Sequence, residues 1–182
     1  LDSIHNDLEI PILYVTHSQS EMSRLADHLL LIEDGHIIGS GPVNDMLTRF
    51  DMPLSHGAEA VSIIEAKVVG CEAKFNLMHL EFLGGQFVVP DNGFPVQTKV
   101  RIRVVARDVS LTKSKQVDTS ILNIFPATVQ ETVPEGEAQV MVRLEIKETI
   151  LLACITRKSS YNLRLNKGTK VFVQVKSVAI LS

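Results

Sequence analysis

The sequence of 182 residues is poor in several residue types, and each shortage excludes a class of protein. Its two cysteines, Cys71 and Cys154, lie far apart within apolar runs, so we expect neither a disulfide nor a metal site. Both are predicted to be small buried side chains in a reducing compartment. No apolar run approaches the roughly 18 residues that a membrane span needs. No charged-then-apolar leader opens the sequence, so a location in or facing the cytoplasm is predicted.

Positive charge is also scarce. The formal net charge is −3 and the isoelectric point is about 6.1. A protein that binds nucleic acid by neutralising phosphates normally carries a basic surplus, so no nucleic-acid partner is predicted. The phosphate-binding motif G-x-x-x-x-G-K-[ST] is absent as well. The sequence therefore lacks the phosphate cradle that an ATPase needs.

What is present begins with an α/β pattern over residues 1–50, followed by a linker over residues 51–59. A buried-looking strand, Ile12–Thr16, ends at His17, and Ser18 with Glu21 forms a capping signature for a helix. The further predicted elements are a strand at His28–Glu33, a turn at Asp34-Gly35, a strand at His36–Ile38 and a helix at Val43–Phe50.

From Ala60 onward, short apolar runs alternate with turn residues, a pattern typical of an all-β fold. Three blocks of sequence occur twice in the same order. Residues 63–68 match 124–129, residues 80–82 match 144–146, and residues 102–109 match 171–178, with offsets of 61, 64 and 69. The repeat predicts two copies of one small barrel, residues 60–113 and 119–182. The predicted fold is therefore mainly β, with tandem OB-like barrels preceded by a truncated α/β segment.

The run PILYVTHSQSEMSRLADHLLLIEDGHIIGSGP, residues 11–42, resembles the end of an ABC-transporter ATPase domain. In that resemblance His17 is the switch histidine, and Asp2 lies in a D-loop that touches the nucleotide of the partner subunit. The resemblance implies ATP and Mg²⁺ as cofactors of a full-length protein, with His17 catalytic near the γ-phosphate. Because the P-loop and the Mg²⁺ ligands are missing, we expect the carboxyl-terminal part of a longer ATPase, inactive on its own.

Three segments of the second copy resemble molybdate-binding Mop (TOBE) domains: TSILN at 119–123, CITRKS at 154–159 and VKSV at 175–178. The run VVARDVSL, residues 104–111, resembles one found in the ATP-binding subunits of molybdate ABC importers. The resemblance implies molybdate or tungstate as ligand, at sites between paired Mop units, and no metal-ion site. The implied oxyanion ligands are Ser120, Thr156, Ser159, Lys176 and Ser177.

One residue departs from the Mop pattern, because Leu122 occupies the position of the family arginine. Losing a guanidinium removes the strongest single contact to an oxyanion. Two interpretations of the barrels therefore stay open: regulatory oxyanion binding, or contacts within a dimer.

The leading interpretation makes the chain part of the ATP-binding subunit of a molybdate importer, peripheral to the cytoplasmic face of the bacterial inner membrane. The repeat and its many short apolar strands, in a chain with 5% aromatic residues, predict a homodimer through the β region. The resemblance implies a transmembrane permease partner and, indirectly, a periplasmic molybdate-binding protein. Two alternatives are a free-standing molybdate storage or sensing protein, and the ATPase subunit of a sugar or polyamine importer.

Overall fold

The computed structural model describes residues 11–57 and 59–181. The amino-terminal elements are α1 (Gln19–Leu25), β1 (His28–Glu33), β2 (His36–Pro42) and α2 (Val43–Thr48). The strands that follow are β3 (Val61–Glu72), β4 (Leu77–Phe82), β5 (Gly85–Pro90), β6 (Lys99–Val105) and β7 (Val109–Thr112). The last elements are β8 (Asn123–Glu135), β9 (Gln139–Ile146), β10 (Thr149–Thr156), α3 (Arg157–Leu163), β11 (Lys170–Val175) and β12 (Ala179–Leu181).

The amino-terminal segment confirms the predicted helix and hairpin but not the first strand. The Ser18 hydroxyl caps α1 by accepting a hydrogen bond from the Glu21 amide, and Asp34-Gly35 turns β1 into β2 with φ angles of 48° and 77°. The predicted strand Ile12–Thr16 is wrong: the segment has no regular structure, and Leu13 is 92% exposed. Its apolar side chains indicated burial, but no strand among the described residues pairs with it.

Helix α2 and the segment after it pack against the outer face of β3. Met46 and Leu47 are fully buried there against Val61 and Ile63. Asn44 strengthens this contact, since its side-chain oxygen accepts a hydrogen bond from the Ile63 amide at 2.8 Å. The amino-terminal segment is thus fixed to the first sheet by apolar burial and by a partly buried polar contact.

The remaining strands form two antiparallel five-stranded sheets of matching order, β12-β6-β3-β4-β5 and β7-β11-β8-β9-β10. Each sheet takes one of its two edge strands from the other copy. Strand β7 follows β6 in the chain but pairs with β11, and β12 follows β11 but pairs with β6. The tandem-barrel fold is confirmed, and the two units exchange their last strands.

The two copies correspond closely in their irregularities. Each has a β-bulge after the same position of its long strand, at Val68 in β3 and at Val129 in β8. Each of these valines also bonds the turn before the next strand that pairs with it, β6 or β11. The valine amide donates to the carbonyl of Thr98 or Thr169, and the valine carbonyl accepts from the amide of Gln97 or Gly168.

The pairing also fixes the alignment of the third repeated block. Ala66 pairs with Val100 in the first sheet, and Ala127 pairs with Val171 in the second, so the offset is 71 and not the predicted 69. An error of two residues leaves every side chain on its expected face, because side chains alternate with a period of two.

One apolar core runs through both copies. Phe82 and Phe87 from the first copy meet Phe125 from the second, with ring centroids 5.1 and 4.8 Å from that of Phe125. Gly85 is required beside them, because a Cβ atom there would lie 3.3 Å from the Phe125 ring and its φ is 149°. The two barrels therefore fold as one packed unit.

The prediction that both cysteines are buried is half wrong. Cys71 is exposed near the end of β3, and Cys154 is half-buried. Cys71 lies where the long strand β3, still paired with β4, extends past the core and its side chains become exposed. Among the helices of residues 11–57 and 59–181, none is long and apolar enough to span a membrane.

Candidate functional site

Three of the predicted oxyanion ligands lie at one end of the second sheet. Asn123 pairs with Val175, so the segment before Asn123, which contains Ser120, and the segment after Val175, which contains Lys176 and Ser177, leave the sheet at the same end. All three predicted ligands are exposed, and within the described part of the chain their side chains make no hydrogen bond or ion pair. Their donors are therefore available to an anion.

Leu122, at the position of the missing arginine, is 62% exposed and belongs to the same end of the sheet. It does not fill a space that a guanidinium would need. A longer side chain at this position can extend into solvent or over the Lys176 segment without displacing the core.

The other two predicted ligands, Thr156 and Ser159, lie at the opposite end of the sheet. Thr156 is the N-cap of α3, where its hydroxyl accepts a hydrogen bond from the Ser159 amide at 3.1 Å and lies 2.8 Å from the Ser159 hydroxyl. Thr156 pairs with Gln139, which faces Glu135 at the far end of β8 from Asn123. Along the strand that separation is roughly 40 Å, at about 3.3 Å per residue.

The second copy alone thus does not bring its five predicted ligands together. A site that uses both groups must combine ends of different barrels. We therefore assign Ser120, Lys176 and Ser177 to one candidate half-site, and Thr156 with Ser159 to another.

The predicted nucleotide residues do not form a site within this chain. Asp2 lies outside the described residues. His17 is exposed on a segment without regular structure, just before the N-cap of α1. Among the described residues no cluster of three His, Cys, Asp or Glu side chains is placed to hold a metal ion. These residues do not fit ATP and Mg²⁺ by themselves, so no hydrolytic step is assigned to them.

An arginine of the first barrel holds the carboxyl end of α1. The Arg101 guanidinium donates to the carbonyl oxygens of Arg24 at 3.2 Å and Ala26 at 2.9 Å, and it also bonds the Asp27 carboxylate. Its Nε donates to Glu65 at 2.8 Å. The helix that follows His17 is therefore attached to the barrel by this partly buried arginine, in addition to Met22, which belongs to the apolar cluster on β3.

A second polar contact joins the segment before β3 to the second copy. His56 places Nδ1 2.9 Å from the Glu135 carboxylate and Nε2 2.9 Å from the Phe50 carbonyl oxygen. Both partners are acceptors, so the ring satisfies both only when both nitrogens carry protons. The Phe50 carbonyl, and after it Glu135, raises the pKa of His56 above its ordinary value.

The sequence did not predict these two contacts. The partners in each lie tens of residues apart in the chain, and no repeat or spacing connects them. A third contact, between the barrels, is made by Asn123, which ends the TSILN segment. That segment did not indicate that Asn123 forms hydrogen bonds with the first copy.

Comparison with known proteins assigns the second barrel. The TOBE domain family matches residues 119–181. This segment is a TOBE domain. It contains β8 to β12 and therefore includes the strand that completes the first sheet, while the strand that completes the TOBE sheet, β7, lies outside it.

The whole chain, and not the TOBE domain alone, is similar to curated relatives. The molybdenum import ATP-binding protein ModC of Albidiferax ferrireducens is 45% identical over 181 residues, which are 100% of this chain and 49% of that protein. ModC of Thiobacillus denitrificans is 40% identical and ModC of Methylococcus capsulatus 41%, each across all of this chain. The chain spans about half the length of these relatives, and the resemblance to such subunits is confirmed.

The barrel pair also has a counterpart among solved structures. A crystal structure of the cytoplasmic molybdate-binding protein ModG with molybdate bound superposes with a TM-score of 0.57 at 19% identity. The match covers 71% of this chain and 98% of ModG. At this identity the similarity supports the fold, and it agrees with two tandem barrels as the architecture.

Proposed function

We propose that this chain is the carboxyl-terminal part of the ATP-binding subunit of a molybdate importer. The observation that carries the proposal is the 40–45% identity to ModC proteins along the entire chain. In this assignment residues 1–50 complete an ATPase domain that an upstream segment begins, with His17 and Asp2 facing ATP and Mg²⁺ there. Residues 60–113 and 119–182 form the accessory barrels, which exchange β7 and β12.

The barrels then serve as a docking and sensing unit on the cytoplasmic face of the membrane. The whole subunit works as a homodimer with a transmembrane permease, which receives molybdate from a periplasmic binding protein. Molybdate or tungstate binds where the half-site at Lys176 meets a Thr156 half-site of another barrel. Exposed, unpaired hydroxyls and one lysine support an oxyanion as the ligand.

A chimaeric transporter tests the proposal. This chain replaces the corresponding half of ModC from Albidiferax ferrireducens in a bacterium that lacks its own ModC, and uptake of labelled molybdate is measured. We expect uptake to return, and the same chimaera with His17→Ala to lose it. A folded chimaera that binds the permease without restoring uptake would refute the assignment.

The fold similarity to ModG supports a second candidate, a free-standing molybdate-binding protein. The packing of α2, with Met46, and of the following Met52 on the first sheet favours the importer, because a free-standing barrel pair has no need of these elements. An importer of sugars or polyamines is the third candidate. Uptake measured with those solutes in the same chimaera distinguishes it.

A further inference from the structure

The carboxyl-terminal part of the chain concentrates positive charge. Residues 149–182 contain six Lys or Arg residues and no Asp or Glu, in a chain whose net charge is −3. Five of the six lie between position 157, where α3 begins, and position 170, where β11 begins. Such a local excess, surrounded by an acidic remainder, attracts anions to this surface.

A groove of about 700 Å³ runs along this basic segment, between α3, the turn that follows it and β9. Arg157 and Tyr161 lie on one face of α3, because their spacing of four residues follows the helix period. Arg164, the left-handed C-cap residue directly after α3, also lines the groove. Val140 and the buried Leu165 supply apolar wall, and Asn166 adds an amide. This volume lies within the range of sites for small organic ligands.

The groove's binding groups have few partners within the chain. Arg49, Arg101, Arg103 and Arg107 each pair with a carboxylate. Within residues 11–57 and 59–181, the groove arginines make no ion pair; Arg157 donates only to the Glu137 carbonyl oxygen at 3.1 Å.

Tyr161 likewise presents binding groups that contact little of the chain. Its ring is 84% exposed, and in the described part of the chain its hydroxyl has no hydrogen-bond partner. Two guanidinium groups are suited to bidentate contacts with a phosphate, and an exposed ring beside them is suited to stacking on a planar group.

We infer that this groove binds a phosphorylated small molecule that carries a planar ring. Arg157 and Arg164 contact the phosphate, Tyr161 stacks on the ring, and Val140 with Leu165 contacts the remainder. The site lies at the end of the TOBE sheet opposite Lys176, it uses none of the predicted oxyanion ligands, and it goes beyond the proposed transport function.

Calorimetric titration of the full chain tests the inference, with adenosine monophosphate, ribose 5-phosphate and inorganic phosphate as probes. We expect saturable one-to-one binding of adenosine monophosphate, and binding about tenfold weaker or more for ribose 5-phosphate, which lacks the planar base. Arg164→Gln should weaken adenosine monophosphate binding by about 10- to 100-fold. Tyr161→Ala should remove the preference for the base.

Lys158→Gln is the matched control, because Lys158 is an exposed cation of the same helix that does not line the groove. Its loss should change the affinity by less than about threefold, since an exposed, non-contacting charge is screened by salt. Chemical shifts of backbone amides should move in α3 and not near Lys176. Melting curves verify that each variant is folded.

Three results would overturn the inference: no saturable binding of adenosine monophosphate at millimolar concentration, equal weakening by Lys158→Gln and Arg164→Gln, or shifts confined to the Lys176 end. If Arg164→Gln fails to fold, the Tyr161→Ala variant decides, because its side chain is exposed. The chimaeric uptake assay is independent of these outcomes, so failure here and failure of the transport assignment are distinguishable.

Discussion

The Asn123 side chain of the second copy bonds both main-chain groups of Val88 in the first. Its oxygen accepts from the Val88 amide at 2.7 Å, and its nitrogen donates to the Val88 carbonyl at 3.1 Å. The repeat places Ser62 at the equivalent position, and its hydroxyl accepts from the Leu152 amide at 2.9 Å. Each copy thus satisfies an edge strand of the other, and this joins the barrels with polar contacts beside the shared core.

The two contacts differ in the number of main-chain groups that they satisfy, and this sets the first prediction. Asn123→Ala leaves an amide and a carbonyl without partners and should lower the free energy of unfolding by about 2–4 kcal/mol. Ser62→Ala leaves one amide and should cost about 1–3 kcal/mol. Urea denaturation of both variants measures the difference. Equal losses of unfolding free energy in the two variants would contradict the expectation that the cost follows the number of main-chain groups left without a partner.

A backbone position with positive φ gives the second prediction. Gln97 has a φ of 79°, and its equivalent in the second copy is Gly168, with a φ of 85°. Both bond the bulge valine of their own copy through their amide. An L side chain in this region costs about 1–2 kcal/mol, which glycine would recover. Part of that recovered stability is lost again, because glycine raises the conformational entropy of the unfolded chain. Gln97→Gly should therefore raise the free energy of unfolding, by up to about 1 kcal/mol.

The reverse change is the control for that substitution. Gly168→Ala should destabilise by up to about 1 kcal/mol through backbone conformation, because the same loss of unfolded-chain entropy offsets part of the strain and no atom lies within 4 Å of the added Cβ. Thermal melting of both variants is the measurement. A stabilising Gly168→Ala, or a destabilising Gln97→Gly, would show that the equivalence of the two turns does not extend to their energetics.

The repeat was the most informative feature of the sequence, and its limits have physical causes. The blocks predicted two barrels because their apolar alternation survives in both copies. The exchange of β7 and β12 left no signal, since a strand's sequence does not specify which of two similar sheets it joins. Ile12–Thr16 was predicted to be a strand from its apolar character alone, whereas a strand needs a neighbour that accepts its hydrogen bonds.

The sequence predicted candidate ligands only as members of local motifs, and their arrangement depends on the fold. Strand pairing brings the segments that contain Ser120 and Lys176 with Ser177 to one end of the sheet; oxyanion binding by these residues stays a prediction. Thr156 and Ser159 were grouped with them by resemblance, yet the register places them at the other end of β8. The groove at Arg157 and Tyr161 had no sequence signal, because which cations lack partners is a property of the folded chain.

The third prediction concerns Arg101. Arg101→Met keeps the aliphatic length but removes the donors to the Arg24 and Ala26 carbonyls and to Asp27. Amide hydrogens of α1 should then exchange with solvent faster, by about tenfold if a charge-assisted contact of at least about 1.5 kcal/mol is lost. Mass spectrometry of deuterium uptake gives the rate. Arg103→Met, two residues along β6, is the control and should leave α1 unchanged.

The fourth prediction is a pH dependence that arises at His56. Its contacts raise its pKa above 6.5, so the protonated ring is favoured in the folded state. The contact should stabilise the protein fully below about pH 6.5, and the stabilisation should be lost as pH rises through the higher folded-state pKa. The difference in unfolding free energy between the protein and its His56→Gln variant should therefore shrink from pH 5.5 to pH 8.5.

A constant difference between these two pH values would mean that the ring contributes through packing against Phe50, from whose ring centroid it lies 5.9 Å. Glu135→Gln is the matched variant, because it keeps an acceptor near Nδ1 but removes the negative charge. We expect it to reduce the pH dependence without removing it, since the Phe50 carbonyl is the larger cause of the raised pKa.

The last prediction concerns oxyanion binding at the Lys176 half-site. Because Leu122 is 62% exposed, Leu122→Arg should introduce a guanidinium beside Lys176 and Ser177 without disturbing the barrel. A charged hydrogen bond contributes about 1.5–3 kcal/mol, so molybdate affinity should rise by about 10- to 100-fold, and Lys176→Ala should abolish binding. Leu122→Gln, which adds donors without charge, should give a smaller gain. Calorimetric titration of folded variants decides: if none binds molybdate, the half-site is not an oxyanion site, and the barrels serve contacts between subunits instead.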